Sequence, residues 1–268
     1  MCPIIFEYGD FQVSGYWLFV ALGFLAAYLY LVAANARLKD RKLPWYHRNS
    51  LFAISMVSTY VGGTLMGFLV NLPELIRDWD YYSQSFSLIR EKAFSSLVYY
   101  GGVLMMIFLL WRYVKHYKLS GETVVELFVP LAAIFMVFAR IGCFMGGCCY
   151  GKEVSWGVVF PEGSLAPAGV PLFPSQLVES AGHLLLFCLF LLVKDKLRSK
   201  FDLMILYMGG YATMRFILEY FRGDDEARGY WYGLSTSQWI SLLLLLVAAG
   251  YVLKNAAEVK RERAVIRQ

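Results

Sequence analysis

Charged residues are scarce in this chain. They make up 17% of its 268 residues, whereas apolar residues make up 59%. A soluble domain of this length would carry more charge and fewer long apolar runs. Several of the apolar runs reach the roughly 20 residues that are needed to cross the hydrocarbon core of a bilayer. The composition therefore argues against a soluble domain and predicts an integral membrane protein.

The chain also lacks the features of a secreted, disulfide-rich protein. Its five cysteines are an odd number, and most of them lie in or beside apolar segments, which argues against a disulfide framework. The first apolar segment is too long for a signal peptide and has no small-residue cleavage site, so we expect no cleavable leader. We see no internal repeat and no low-complexity segment, and we expect no appended soluble domain.

The apolar segments predict an all-α membrane protein with about seven transmembrane helices in a single polytopic domain that covers residues 1–268. Lys and Arg concentrate in the first, third and fifth connections and in the C-terminal tail. Because positive charge marks cytoplasmic loops, we expect an outside N-terminus and a cytoplasmic basic tail at 255–268. Connections 72–95 and 148–174 then lie at the outer face, the first with a short amphipathic helix. The predicted spans are 14–36, 49–71, 96–114, 124–146, 175–194, 203–222 and 235–254.

An arginine, Arg140, stands near the end of the fourth predicted span. A guanidinium stays protonated, and burying it in hydrocarbon is costly unless it is paired or hydrated, so such a residue marks a candidate site. The stretch 142–151 contains four glycines, which allow another backbone or a ligand to come close. The alternative is a GxxxG packing face, from Gly142 to Gly146, with an arginine that reaches the membrane surface.

The sixth predicted span carries a second arginine. Tyr211, Arg215, Glu219 and Arg222 are spaced by four, four and three residues, which predicts one shared helix face. The alternative is an Arg215–Glu219 pair that only makes membrane insertion tolerable. Arginines around a common cavity form a typical phosphate receptor, and phospholipid head groups supply phosphate at the outer face. The arginines would stabilise the charge of a leaving phosphate, while Glu219 orients them or accepts a proton.

Several motifs resemble those of the prolipoprotein diacylglyceryl transferases, and the resemblance covers nearly the whole chain. The family's Gly-Arg-x-Gly-Asn-Phe-x-Asn-Gly-Glu signature corresponds to 139–148, and its Tyr-Gly-x-x-Arg-x-x-x-Glu-x-x-Arg segment corresponds to 211–222. Its His-Pro-Ser-Gln-Leu-Tyr-Glu segment corresponds to 173–179, and its His-Gly-Gly to 100–102. The essential tyrosine of the first span falls on Tyr16, and a late Ser-x-x-Gln is kept as Ser235 and Gln238.

The resemblance implies an enzyme of the bacterial cytoplasmic membrane with its active site toward the outer face. Such enzymes move the diacylglyceryl group of phosphatidylglycerol onto the lipobox cysteine of a prolipoprotein and release glycerol phosphate. We expect no cofactor, no metal ion and no nucleic-acid partner. By resemblance, Arg140 and Arg215 hold the phosphate, and Glu219 and Tyr100 complete the catalytic set. The implied substrate-binding residues are Tyr16, Gly101, Gly102, Gly142, Cys143, Cys148, Ser175, Gln176, Tyr211, Arg222 and Gln238.

The positions that handle protons differ from the family pattern. Tyr100 replaces the histidine that acts as base, Cys143 and Gly146 replace asparagines, and Cys148 replaces a glutamate. Because a free thiol has a pKa of about 8.5, a weak base suffices for its attack, and we expect Tyr100 to orient or relay a proton. A paralogue with another acceptor is one alternative. A lipid transporter and a catalytically silent lipid-binding homologue are the others.

The adjacent cysteines Cys148 and Cys149 allow several interpretations. We favour small, apolar lining of the site. A nucleophilic role is the main alternative, since a thiolate beside arginines would be activated. A redox pair is disfavoured because adjacent cysteines rarely close a disulfide comfortably. A zinc site is disfavoured because His47, His116 and His183 all lie far along the chain from the glycine motif.

Overall fold

Helices dominate the computed structural model, which describes residues 4–8, 11–93, 98–224 and 229–266. A helix satisfies every backbone donor and acceptor within its own segment, which is what an apolar surrounding demands. The α-helices in the described ranges are α1 (Gly15–Arg37), α2 (Trp45–Arg77), α3 (Trp79–Tyr82), α4 (Phe86–Ala93), α5 (Tyr99–His116), α6 (Gly121–Gly146), α7 (Ser175–Val193), α8 (Phe201–Leu218) and α9 (Thr236–Ile266).

Each of the seven predicted spans lies on one of the long helices. Five helices in the described part of the chain are long and apolar enough to cross a membrane, namely α1, α2, α6, α7 and the stretch Thr236–Ala257 of α9. The other two predicted spans fall on α5 and α8, which have 18 residues each, although positions 96 and 97 lie outside the described residues. The chain is thus a mostly helical, multi-pass membrane protein. The count of seven crossings and their orientation stay predictions.

Short antiparallel strand pairs accompany the helices. Strands β1 (Ile4–Tyr8) and β2 (Phe11–Ser14) precede α1, with Phe6 opposite Val13. The connection after α6 holds β3 (Glu153–Val159) paired with β4 (Pro171–Leu172). Strands β5 (Tyr230–Trp231) and β6 (Leu234–Ser235) lead into α9. The connection 72–95 holds the end of α2 followed by α3 and α4, so the helical structure predicted there is present.

The chain divides into two compact units, and one of them is Asn35–Thr123. Within this unit, glycines let α2 and α5 approach closely. A Cβ added at Gly101 would lie 2.3 Å from Met66 Cβ, and one added at Gly102 would lie 2.4 Å from the Thr59 carbonyl oxygen. Larger side chains at these positions would force the helices apart.

The other unit consists of Met1–Ala34 and Val124–Gln268, and it contains α7–α9 with nearly all of α1 and α6. Its core includes Ala133, Phe190 and Leu203, which come from three different helices. The hydroxyl of Ser180 on α7 donates to the Val137 carbonyl oxygen of α6 at 2.9 Å. This contact brings the polar residues of α7 beside those of α6.

Helix α8 is shorter than predicted, which changes the position of one candidate residue. It ends at Leu218, and Glu219–Phe221 form a single 3₁₀ turn. Arg222 then adopts an extended backbone with φ −78° and ψ 143° and pairs with Gly151 in an isolated bridge. The prediction that Arg222 continues the helix face of Tyr211 and Arg215 is therefore wrong, because a helical register no longer applies there.

Candidate functional site

A Schellman turn at the end of α6 brings two cysteines together. The N–H of Gly147 donates to the Phe144 carbonyl oxygen at 3.3 Å, and the N–H of Cys148 donates to that of Cys143 at 3.1 Å. These are the two hydrogen bonds that define the motif. Gly147 supplies the left-handed φ of 78° that the turn requires. The chain reversal leaves Cys148 Sγ 3.7 Å from the Cys143 carbonyl oxygen.

Cys149 completes a cluster of three free thiols. The Sγ atoms of Cys143, Cys148 and Cys149 all lie within 4.8 Å of one another, and the three residues are half-buried. Cys149 has a φ of 61°, a strained conformation for a residue with a Cβ that costs about 1–3 kcal/mol. Hydrogen bonds with the other two thiols, together with the charges of Arg140 and Arg222, lower the pKa of Cys149.

Two side chains at the start of α7 hold the turn at residues 143–149, which we call the cysteine turn, in place. Ser175 Oγ donates to the Cys149 carbonyl oxygen and Gln176 Nε2 donates to the Cys148 carbonyl oxygen, each at 2.7 Å. Both side chains are almost fully buried, where a hydrogen bond is stronger than it is in water. These two predicted substrate-binding residues therefore contact the turn, and through it they position the thiols.

Arg140 lies one turn before Cys143 and is paired with a carboxylate from another helix. Its Nη2 is 2.9 Å from Glu179 Oε1 of α7, and the two side chains are 12% and 3% exposed. The alternative of an arginine that reaches the membrane surface is wrong for this side chain. Its buried Nε has no hydrogen-bond partner among the described residues. An unsatisfied buried donor of this kind is rare in folded proteins, which makes this nitrogen a candidate ligand contact.

Arg215 repeats this arrangement on α8. Its Nη2 lies 2.8 Å from Glu219 Oε2, so the ion pair named by the alternative interpretation is present. The same nitrogen also donates to Ser237 Oγ of α9 at 3.2 Å. Its Nη1 is buried and has no hydrogen-bond partner within the described ranges. Arg140 and Arg215 thus each use one nitrogen for a carboxylate and have another buried donor with no partner among the described residues.

Arg222 is paired separately from the other two arginines. Its Nε donates to Asp224 Oδ1 at 2.9 Å, and a second guanidinium nitrogen contacts the other oxygen of the same carboxylate. Because Arg222 has its own carboxylate, Glu219 serves Arg215. Both Arg222 and Arg140 interact electrostatically with Cys149, so the cysteine cluster lies in a positive field.

Two tyrosines complete the surroundings of Arg140. Tyr16 of α1 interacts electrostatically with Arg140 and with all three cysteines of the cluster. Gly142 permits this approach, since a Cβ there would lie 3.0 Å from the Tyr16 carbonyl oxygen. Tyr211 interacts with Arg140 as well and stands one turn before Arg215 on α8. Tyr211 therefore lies near Arg140 and one helical turn from Arg215.

His183 also belongs to this region, although its sequence position suggested otherwise. It lies one turn after Glu179 on α7, is fully buried, and interacts electrostatically with Arg140. Its ring stacks on that of Tyr211 with centroids 5.7 Å apart. Both ring nitrogens lack a hydrogen-bond partner among the described residues. Distance along the chain was misleading because α7 packs directly on α6.

Four further predicted residues lie on α5 and at the start of α9. Tyr100, Gly101 and Gly102 lie at the start of α5 in the unit Asn35–Thr123, and the two glycines are needed there for contact with α2. Gln238 forms a capping box with Ser235. The N–H of Ser235 donates to Gln238 Oε1 at 3.0 Å, and the N–H of Gln238 donates to Ser235 Oγ at 3.2 Å.

Some residues of the site were not predicted. Glu179 had a usable signal, since it closes the motif at 173–179, and Asp224 stands only two residues beyond Arg222. Ser237 had no signal in the sequence, because its contact with Arg215 depends on how α8 meets α9.

Known proteins resemble this chain in sequence over nearly its whole length. The family model described as prolipoprotein diacylglyceryl transferase matches residues 3–254. A phosphatidylglycerol–prolipoprotein diacylglyceryl transferase of Clostridium tetani is 30% identical over 92% of this chain and 95% of its own length. A second such enzyme, from Clostridium perfringens, is 32% identical over 96% of both chains, and one from Dehalococcoides mccartyi is 27% identical over 93% of this chain and 92% of its own. Since the family model covers most of the sequence, the chain belongs to the prolipoprotein diacylglyceryl transferase family.

Proposed function

We propose that this protein transfers the diacylglyceryl group of phosphatidylglycerol to the lipobox cysteine of prolipoproteins. The observation that carries the proposal is the pair of buried arginines with unused donors. Arg140 Nε and Arg215 Nη1 are both desolvated and unpartnered among the described residues. A phosphate group supplies the acceptor oxygens that such donors need, and arginine is well suited to bind it.

The arginines serve the reaction as well as binding. The acceptor sulfur attacks the glyceryl carbon that carries the phosphate, the C–S bond forms, and the C–O bond breaks. Negative charge then grows on the departing glycerol phosphate, where fixed positive groups stabilise it more than they stabilise the substrate. Glu179 and Glu219 hold the two guanidinium groups in place. Tyr16 and Tyr211 shape the space beside Arg140, and Gly142 makes room for α1.

The remaining family positions keep their proposed roles. Arg222 and Cys143 border the cysteine turn, and Cys148 is part of it, while Ser175 and Gln176 fix its backbone. Tyr100 is the proposed proton relay. Gly101 and Gly102, the next two residues, allow the close approach of α5 to α2. Gln238 supports the start of α9, which carries Ser237 to Arg215.

The proposed setting is the bacterial cytoplasmic membrane, in a single polytopic domain. The apolar runs support seven spans, and the distribution of Lys and Arg supports an outside N-terminus and a cytoplasmic basic tail. This orientation puts the cysteine turn and the 3₁₀ turn after α8 toward the outer face. The lipid tails enter from the bilayer, and the lipobox peptide approaches from outside.

A different acceptor is the second candidate, and the three thiols favour it. Cys143 and Cys148 stand where the family pattern has asparagine and glutamate. Thiols therefore replace an amide and a carboxylate at these positions, and the acceptor could differ accordingly. Both candidates use the same phospholipid donor and the same arginines.

Purified full-length protein in detergent, incubated with head-group-labelled phosphatidylglycerol and a lipobox peptide, tests the proposal. We expect the peptide to gain the mass of one diacylglyceryl group and glycerol phosphate to be released, with no reaction of a peptide that has serine for cysteine. Release of glycerol phosphate without peptide modification would favour another acceptor. Release of neither product by folded protein would contradict the transferase proposal.

A further inference from the structure

We propose that Cys143, Cys148 and Cys149 bind a zinc ion whose fourth position receives and activates the acceptor thiol. This inference rests on the proposed function for its substrate, but not for the metal site itself. It departs from the expectation of a metal-free site, which was based on the lack of a nearby histidine.

The first support is the geometry of the three sulfurs. Tetrahedral zinc with Zn–S bonds of about 2.3 Å needs sulfur atoms about 3.8 Å apart. The three Sγ atoms already lie within 4.8 Å of one another, which is close to that spacing. Thiolates are the ligands that select soft and borderline metals such as Zn²⁺. Three protein ligands with a fourth open position are the arrangement of catalytic zinc sites.

The second support is the strained backbone of the cysteine turn and the buried hydrogen bonds that hold it. Cys149 adopts a left-handed φ of 61° although it has a Cβ, and such outliers cluster at functional sites. The buried side chains of Ser175 and Gln176 each donate a 2.7 Å hydrogen bond to the turn's carbonyl oxygens. Simple lining residues would need neither the strained backbone nor two buried anchors. A metal site does, since the groups around the ligands fix their orientation.

The third support is electrostatic. Three thiolates and one divalent ion leave a net negative charge, which grows when a fourth thiolate binds. Arg140 and Arg222 both act on Cys149 and offset that charge. The three cysteines are half-buried rather than fully buried, as access by an incoming thiol requires.

The proposed step balances without any oxidant or reductant. The acceptor thiol binds zinc and releases its proton to water through the proposed relay of Tyr100. The metal-bound sulfur then attacks the glyceryl carbon of the phospholipid, the C–O bond breaks, and its electron pair leaves with glycerol phosphate. The thioether product is a weaker ligand and dissociates. Metal coordination is an established way to activate a nucleophile, and here it would lower the pKa of the acceptor thiol where the histidine base of the family pattern is missing.

Cobalt substitution of the full-length protein tests the site without relying on catalysis. We expect metal-depleted protein to bind one Co²⁺ with sulfur-to-cobalt charge-transfer bands and tetrahedral d–d bands. Cys143→Ser and Cys148→Ser should lose these bands. Cys188→Ser is the matched control, because Cys188 is an exposed cysteine of α7, and it should keep them. Absence of thiolate bands in the wild-type protein, or bands that persist in the cluster variants, would overturn the proposal.

The same sample reports on the fourth position. A lipobox peptide should change the d–d bands, and the peptide with serine for cysteine should leave them unchanged. A spectrum that does not change with the cysteine peptide would overturn the proposal that the fourth metal position binds the acceptor thiol. A lipid adduct on Cys148 in metal-free protein would overturn it too, since that cysteine would then be the nucleophile.

Transfer assays separate this inference from the proposed function. Metal removal should slow transfer by more than about tenfold, because only a few per cent of a free thiol is thiolate at pH 7, and Zn²⁺ should restore the rate. Full transfer by metal-free protein would overturn the zinc proposal and leave the transferase proposal intact. A peptide-responsive cobalt site without transfer would support the metal site and count against the transferase proposal.

Discussion

Arg140 and Glu179 form a buried ion pair of 2.9 Å that joins α6 to α7. Burying two charges costs solvation energy that their attraction repays only in part, so such a pair is weak evidence for stability. Arg140 Nε, which has no hydrogen-bond partner among the described residues, also argues against a purely stabilising role. A residue that was present only to hold two helices together would not need a further buried donor. The pair is better explained by a guanidinium that is held ready for an anion.

The Arg140–Glu179 pair can be separated into its structural and functional parts. We expect Arg140→Met to lower the free energy of unfolding by about 3–5 kcal/mol, because Glu179 is left buried without its partner. Adding Glu179→Gln should recover most of that loss, since the buried charge is gone. Neither protein should transfer lipid. Thermal unfolding in detergent and the peptide assay measure the two effects.

An exposed pair provides the control for this comparison. Arg77 and Asp78 are 3.2 Å apart with side chains that are 73% and 43% exposed, and surface pairs contribute at most about 1 kcal/mol. Arg77→Met with Asp78→Asn should therefore change little in either measurement. If the Arg140 and Glu179 double variant transferred lipid at the normal rate, the phosphate role of Arg140 would be refuted.

We expect that lysine cannot replace Arg215, because the branched guanidinium group serves two partners at once. One end of the guanidinium contacts Glu219 and Ser237, and the other end keeps a free donor. A lysine ammonium is a single point that can satisfy the carboxylate or the ligand. We expect Arg215→Lys to fold normally and to lower kcat by about 10²-fold or more, the effect of losing one donor to developing charge. Ser237→Ala, which leaves the fork intact, should retain most of the rate, and a fully active Arg215→Lys protein would rule out the second donor.

The sequence predicted the helices and the two buried arginines because these depend on local pattern. A long apolar run that crosses a membrane forms a helix whatever its neighbours are. A charged residue inside such a run can be recognised without a structure. The partners of the arginines come from other helices or turns, as with Glu179 for Arg140 and Asp224 for Arg222. Helix periodicity also could not foresee that α8 ends at Leu218, so it misplaced Arg222.

The thiol cluster shows the same limit. Spacing alone left Cys143 as a signature position and the other two cysteines as lining. The Schellman turn at Gly147 and the left-handed Cys149 bring all three sulfurs together. His183 was set aside because it is remote in sequence, although α7 carries it to the electrostatic environment of Arg140.

The proposed orientation predicts the accessibility of inserted tags. Tags placed after the C-terminus or within 194–200 should be protected from membrane-impermeant reagents in intact cells, because positively charged segments stay in the cytoplasm. A tag within 165–170 should be labelled. Labelling before and after permeabilisation gives the measurement. A C-terminal tag that is labelled in intact cells would reverse the orientation and move the site to the cytoplasmic face.

Gln238 should behave as a capping residue. The Ser235–Gln238 box satisfies backbone donors at the start of α9. Gln238→Ala and Ser235→Ala should each lower stability by about 1 kcal/mol and leave the transfer rate per folded molecule unchanged. Thermal unfolding and active-protein titration measure these effects. A raised KM for phosphatidylglycerol in Gln238→Ala alone would instead mean that Gln238 binds the substrate.

Tyr100 stands where the family pattern has a histidine, so its hydroxyl is the proposed relay for the proton that the acceptor thiol loses. Removing that hydroxyl while keeping the ring should then cost about 10²-fold in rate, the lower end of general acid–base contributions. Tyr100→Phe is the variant, and Tyr99→Phe is the matched control because Tyr99 is its neighbour on α5 and its ring lies 6.1 Å away. The rate should be measured from pH 6 to pH 9. If the thiol must lose its proton through Tyr100, the deficit shrinks at high pH, where about half or more of a free thiol is already ionised. A Tyr100→Phe protein with the normal rate at every pH would remove tyrosine from the proton path, and the bound metal or Glu219 would have to serve it.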